Sequence, residues 1–133
     1  MTRDPSTSIQ TPHAPAAIGP YAQGRTGPLA GRWLVSSGQV GLDPASGQLV
    51  PGGIQAETER ALRNLEAVLK AGDATFQDVV KTTVFLADMA DFAAMNEVYG
   101  RFFPDPKPAR STVAVRSLPK DARVEIEVWA FLT

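Results

Sequence analysis

Apolar residues fall into a few informative patterns along the chain. Trp33-Leu34-Val35-Ser36-Ser37 is a short strand-forming run closed by Gly38, and residues 40–42 resume it after a bulge. Ile54, Ala61, Leu62, Leu65, Val68 and Leu69 recur at helical spacing and make one apolar stripe, with Gly72 as its stop. The same helix sets Glu59 before Arg63 and Glu66 before Lys70, favourably oriented i,i+4 pairs on the exposed side. Residues 79–86 are β-branched and alternating, which predicts a strand. Phe92, Met95, Tyr99, Phe102 and Phe103 form a second helical stripe, opened by Asp88 or Asp91 as N-cap and ended by Pro104. Asn96 interrupts that stripe. A buried amide needs a partner, and side-chain hydrogen bonds go more often to backbone, so Asn96 reads as a backbone tether, with a site role as the alternative.

Two strands close the chain, over residues 110–115 and 123–131. In the last, Val124, Ile126, Val128 and Ala130 share one face, and Glu125, Glu127, Trp129 and Phe131 the other. In the preceding strand Ser111, Val113 and Val115 alternate with Arg110, Thr112 and Ala114. The order strand, helix, strand, helix, strand, strand predicts an α+β fold: a single, mostly antiparallel or mixed sheet with two helices on one face. Residues 1–8 read as a frayed polar tail and 9–133 as one domain, beginning with irregular edge structure over 9–24. Residues 43–47, Asp-Pro-Ala-Ser-Gly, have the chemistry of a tight turn. If the helices cover the aliphatic rows, the opposite face presents Arg110, Glu125, Glu127, Trp129 and Phe131. Two large aromatics beside three charges make a poor solvent surface, so this face is expected to pack against other copies of the chain. Charges caught there must be paired or line a pocket.

Composition narrows the chemistry. A net charge of −1 over 133 residues lacks the basic bias of phosphate-dominated nucleic-acid binding. No apolar run approaches the roughly 20 residues that span a bilayer, and the polar start has no signal-peptide core, so a cytoplasmic protein is expected. Cysteine is absent, which removes disulfides, thiolate nucleophiles and sulfur-ligated metals and fits a reducing compartment. The single histidine, His13, lies between Pro12 and Pro15 in an extended stretch, poorly placed for a triad or a zinc site. Neither metal nor cofactor is expected. Chemistry falls to carboxylates, arginine, hydroxyls, backbone groups and water.

Several separate motifs then converge. Pro108-Ala109-Arg110-Ser111, Leu118-Pro119-Lys120-Asp121 and Val124-Glu125-Ile126-Glu127 resemble the C-terminal signature of the RidA (reactive intermediate deaminase, or YjgF) family. Residues 14–24, Ala-Pro-Ala-Ala-Ile-Gly-Pro-Tyr-Ala-Gln-Gly, resemble its N-terminal segment, and Ser36-Ser37-Gly38-Gln39 and residues 80–86 fall in the expected order. The resemblance runs from about residue 9 to the C-terminus. It implies a chorismate-mutase-like fold, a homotrimer with a central barrel and intersubunit clefts, and a crossover that keeps the last two strands from being neighbours.

The resemblance also implies hydrolysis of reactive 2-imino acids or their enamine tautomers, such as 2-aminoacrylate and 2-iminobutanoate, to 2-oxo acids and ammonia. Arg110 would hold the substrate carboxylate in a bidentate fork that lysine does not reproduce. Glu125 would position or deprotonate the attacking water. Tyr21, Ser37 and Gly38 would line the cleft, backbone at Thr112 would orient the substrate, and Asn96 matches a position near the cleft. Some members carry cysteine where this chain has Thr112, so thiol chemistry at that position is excluded here. Bland readings stand beside these: Arg110 or Glu125 as structural ion pairs, Glu127 as an interface pair, Gly19 and Gly24 as turn residues, Tyr21 as interface packing. Competing functions are a non-catalytic sensor of 2-oxo acids, and an endoribonuclease or translation inhibitor. A second carboxylate argues against the sensor, and the charge and lone histidine against the nuclease.

Overall fold

A computed structural model of the chain describes residues 7–28 and 30–133. In chain order it comprises β1 (Thr7–Ile9), β2 (Gly24–Thr26), β3 (Arg32–Val35), β4 (Gln39–Val40), α1 (Gly53–Ala71), β5 (Val79–Leu86), α2 (Phe92–Phe102), β6 (Ala109–Ala114) and β7 (Val124–Leu132). Thr7 and Ser8, assigned to the tail by sequence, pair with Thr26 and Arg25 in a small β1–β2 ladder; residues 1–6 lie outside the described residues. The main sheet has the order β3-β7-β5-β6, with β4 also pairing with β7. Only β5 and β6 are parallel, so the sheet is mixed, and β6 forms its edge. The last two strands are indeed not neighbours, because β5 lies between them.

Alternation in β7 decides which face is core. Val124, Ile126, Val128 and Ala130 are buried, and the register carries that row onto Leu86, Val84 and Thr82 of β5. Leu62, Leu65 and Leu69 of α1 and Met95, Val98 and Tyr99 of α2 complete one core with them. Tyr99 stacks on Phe103 at 4.4 Å, and Phe76 meets Phe103 edge-on at 5.0 Å. Each fully buried leucine is worth roughly 1.5–3 kcal/mol against exposure, whereas an exposed helix ion pair gives only about 0.3–0.5. Packing, not surface charge, therefore holds α1. The expected Glu59 partner of Arg63 gives way to Glu66, 3.2 Å away, and Arg63 also lies over the Phe102 ring. Val68, counted in the stripe, is 36% exposed at the helix margin. No helix among the described residues is long and apolar enough to cross a membrane.

Two local devices fall where the sequence expects them, with geometry of their own, and one position differs. Gly72 ends α1 as expected, with φ −96° rather than a left-handed value, and a Cβ there would press on the end of the Leu34 side chain. Asp88 caps the 3-10 turn of Met89–Asp91 through Ala90 N, while Asp91, at the N-cap of α2, makes no cap bond and lies 3.8 Å from Arg123. Most important, Arg110 is not on the open face. β6 registers Arg110, Thr112 and Ala114 with Thr82, Val84 and Leu86, which places Arg110 on the helix side beneath α2. Val113, 45% exposed, takes the open side instead. At a sheet edge the helix layer need not be aliphatic, and α2 meets Arg110 with aromatic faces and an amide. The open face keeps Trp33, Val35, Phe85, Glu125, Glu127 and Trp129, with Trp33 and Trp129 the most exposed at 67% and 52%.

Candidate active site

Positions 92, 96 and 99 are spaced i, i+4 and i+7, so Phe92, Asn96 and Tyr99 share one face of α2. That face meets the edge strand at Arg110. The guanidinium carbon lies 4.8 Å from the Tyr99 ring centroid, 5.5 Å from Phe92 and 5.1 Å from Tyr21. Arg110 Nη1 donates to Asn96 Oδ1 at 2.7 Å. Asn96 is thus no backbone tether; its oxygen fixes the guanidinium. Among the described residues no carboxylate is paired with Arg110, so its charge is held by ring faces and one neutral amide, and the remaining N–H donors are available to an anion.

The electrostatics agree with an anion site. Burial lowers the Arg110 pKa, with the neighbouring Tyr99 and Tyr21 opposing the shift. Burial also pushes the Tyr99 hydroxyl up to about 12, against its hydrogen bond to Thr82 and the Arg110 charge. Burial thus keeps Tyr99 neutral, with its hydroxyl 2.7 Å from that of Thr82, and it supplies a ring face but no counter-charge. Tyr21 is itself positioned: its hydroxyl accepts from Ile18 N at 3.1 Å, and Tyr21 N donates to Gly19 O at 2.8 Å. Gly19 abuts the site, since a Cβ there would stand 3.3 Å from Arg110 Nη2 and 3.4 Å from Asn96 Nδ2. Thr112 follows on the same face of β6, and its Oγ1 is buried without a partner among the described residues. Leaving such a hydroxyl unbonded costs about 1–3 kcal/mol, which marks it as a group that a ligand could satisfy.

Glu125 belongs to a different neighbourhood. Ser36 N donates to Val128 O at 3.0 Å, and Ser36 Oγ accepts from Val128 N at 2.9 Å. Asn64 of α1 donates to the carbonyls of Val40 and Leu42. These ties press the turn at Ser37 and Gly38 onto β7, so closely that a Cβ on Gly38 would lie 2.7 Å from Glu125 Cδ. The start of β7 is anchored too, because Arg123 N donates to buried Glu57 Oε1 at 2.8 Å. Glu125 has no cation partner among the described residues, and the neutralising ion pair considered from sequence does not form there. Ser37 is exposed and Gly38 half-buried beside it.

Within one chain the two groups are separated. Arg110 registers through Thr82 with Val128, three residues along β7 from Glu125, so the two side chains emerge on opposite sheet faces. Two strand spacings and that offset put their Cα atoms about 14 Å apart. Tyr21, Asn96, Arg110 and Thr112 come together; Ser37, Gly38 and Glu125 come together; the two sets do not meet. Sequence reasoning missed Phe92 and Tyr99 as site residues by counting them only as core, although their spacing with Asn96 was the available signal.

The family model described as endoribonuclease L-PSP matches residues 11–132. The mouse protein named 2-iminobutanoate/2-iminopropanoate deaminase is 53% identical over 92% of this chain and 88% of its own length. The human protein of the same name is 49% identical over 92% of this chain and 87% of its own. The crystal structure of the YjgF gene product from E. coli superposes with a TM-score of 0.73 at 41% identity, covering 96% of this chain and 99% of the other. With the matched model spanning nearly every described residue and the Arg110 and Glu125 motifs in place, this chain belongs to the endoribonuclease L-PSP family, the YjgF/RidA family that its motifs resemble.

Proposed function

We propose that this chain is a cofactor-free imine/enamine deaminase that hydrolyses 2-aminoacrylate and 2-iminobutanoate to 2-oxo acids and ammonia. The observation that carries the reading is Arg110, half-buried among three rings, held by Asn96 and without a carboxylate partner among the described residues. Such a group binds a small carboxylate in two parallel hydrogen bonds. The fixed substrate then presents its imine carbon to water. Glu125 takes one water proton as the C–O bond forms and C=N of the iminium becomes a single bond, giving a carbinolamine. That proton passes to the nitrogen, the hydroxyl gives up its own proton to Glu125, and C=O forms as the C–N bond breaks and ammonia leaves. An iminium carbon is already electrophilic, so positioning and one base suffice.

Because Arg110 and Glu125 lie on opposite faces about 14 Å apart, the proposed site takes its carboxylate clamp from one chain and its base from another. The open face, with Trp33, Trp129 and Phe85 beside Glu125, supports an interface between copies, and the family resemblance supports a trimer with a central barrel. The setting proposed is the cytoplasm, consistent with a chain that has no cysteine.

Generating 2-aminoacrylate in situ tests the reading: its decay should accelerate in proportion to added protein, and an unchanged decay rate would reject it. RNA incubated with the same preparation should stay intact, given the net charge of −1 and an exposed His13. Gly38→Ala provides a second check. The new methyl displaces the flexible end of Glu125, so the fold should persist while turnover falls about tenfold and pyruvate binding at Arg110 is retained. Wild-type turnover in that variant would detach Glu125 from the chemistry.

A further inference from the structure

The loop that delivers Arg110 is short of hydrogen-bond donors. Residues 103–109 read Phe-Pro-Asp-Pro-Lys-Pro-Ala, and three prolines supply no N–H. Its carbonyls must be satisfied from outside, and each donor therefore fixes the loop. Lys107 Nζ turns back to Phe103 O. Ala22 N donates to Pro108 O at 3.0 Å, and Ala22 bridges Ala109 in parallel. Pro106 and Lys107 carbonyls, at 3.2 and 3.3 Å, both accept from Arg25 Nη1. The same nitrogen lies 3.4 Å from Val79 O, at the point where β5 shifts register against β7.

Arg25 thus joins three segments: the β2 segment, four residues after Tyr21; the proline loop, three residues before Arg110; and the irregular start of β5. Tyr21 and Arg110 face each other at 5.1 Å across this junction. We propose that Arg25 is a positioning residue for the carboxylate site, locking the proline loop against β2 and so fixing the Tyr21 ring and the Arg110 guanidinium at working distance. The inference rests on the Arg110 reading above and adds a residue outside the quoted motifs.

The test compares Arg25→Met, which keeps the apolar stem and loses the donors, with Arg25→Lys, which restores a shorter cation. Arg25→Met should raise the Kd for pyruvate and the KM for 2-iminobutanoate about tenfold, with kcat within about twofold, because the Glu125 neighbourhood is untouched. Arg25→Lys should recover about half of that loss on a logarithmic scale. A lower melting temperature with unchanged Kd and KM would overturn the proposal by making Arg25 merely structural. Should Arg25→Met fail to fold, Arg25→Gln is judged by the same two constants. Arg110→Ala is measured alongside. If it loses pyruvate binding while the Arg25 variants keep theirs, the Arg25 inference alone fails; if it binds pyruvate normally, the site reading fails and takes this inference with it.

Discussion

Arg110→Ala is expected to abolish measurable pyruvate binding and to lower kcat/KM for imine hydrolysis by about 10³-fold, since a charge-assisted bidentate pair in a partly desolvated site is among the strongest single contacts available. The cage argues for so large an effect. Three rings and Asn96 hold the guanidinium before substrate arrives, so little entropy is lost on binding. Arg110→Lys should restore only part of the affinity, because a point charge cannot reproduce two parallel hydrogen bonds or stack between rings. Calorimetry with pyruvate and 2-oxobutanoate reads the outcome. Normal binding by Arg110→Ala would move the site elsewhere.

Glu125→Gln separates water activation from substrate binding. Its carboxylate lies against Gly38 on the open face, away from the Arg110 cage, and has no cation partner among the described residues to make it structural. Turnover should fall about 10²-fold, the loss typical of a missing general base, while pyruvate still binds with nearly the wild-type Kd. Single-turnover imine decay and calorimetry on the same preparation give both numbers. Hydrolysis at the wild-type rate would assign the chemistry to another base.

How far the sequence alone could lead is clearest at the two ends of the sheet. β7 was fully legible, because strict alternation of aliphatic with charged and aromatic residues corresponds to its buried and open faces. β6 was not: Ser111, Val113 and Val115 look more apolar than Arg110, Thr112 and Ala114, and only the pairing with Thr82, Val84 and Leu86 shows which row meets the helices. An edge strand escapes the rule that the core face is the greasiest. The same tertiary fact turned Asn96 from a tether into the acceptor for Arg110. Motif likeness grouped Arg110, Tyr21, Ser37, Gly38, Thr112, Asn96 and Glu125 together, whereas strand register divides them within the chain into two neighbourhoods. The three carbonyls that Arg25 Nη1 reaches lie 54 to 82 residues away, so the sequence around Arg25 gave no sign of these contacts.

The claim that one substrate site is built from two chains is tested most directly by mixing. Arg110→Ala and Glu125→Gln proteins, each inactive alone, are unfolded together, refolded as a 1:1 mixture and assayed for 2-iminobutanoate hydrolysis. If each site takes Arg110 from one chain and Glu125 from another, random assembly leaves about a quarter of the sites with both residues intact, and activity should return to about a quarter of the wild-type level. A refolded, assembled mixture that stays as inactive as its two components would contradict the shared site.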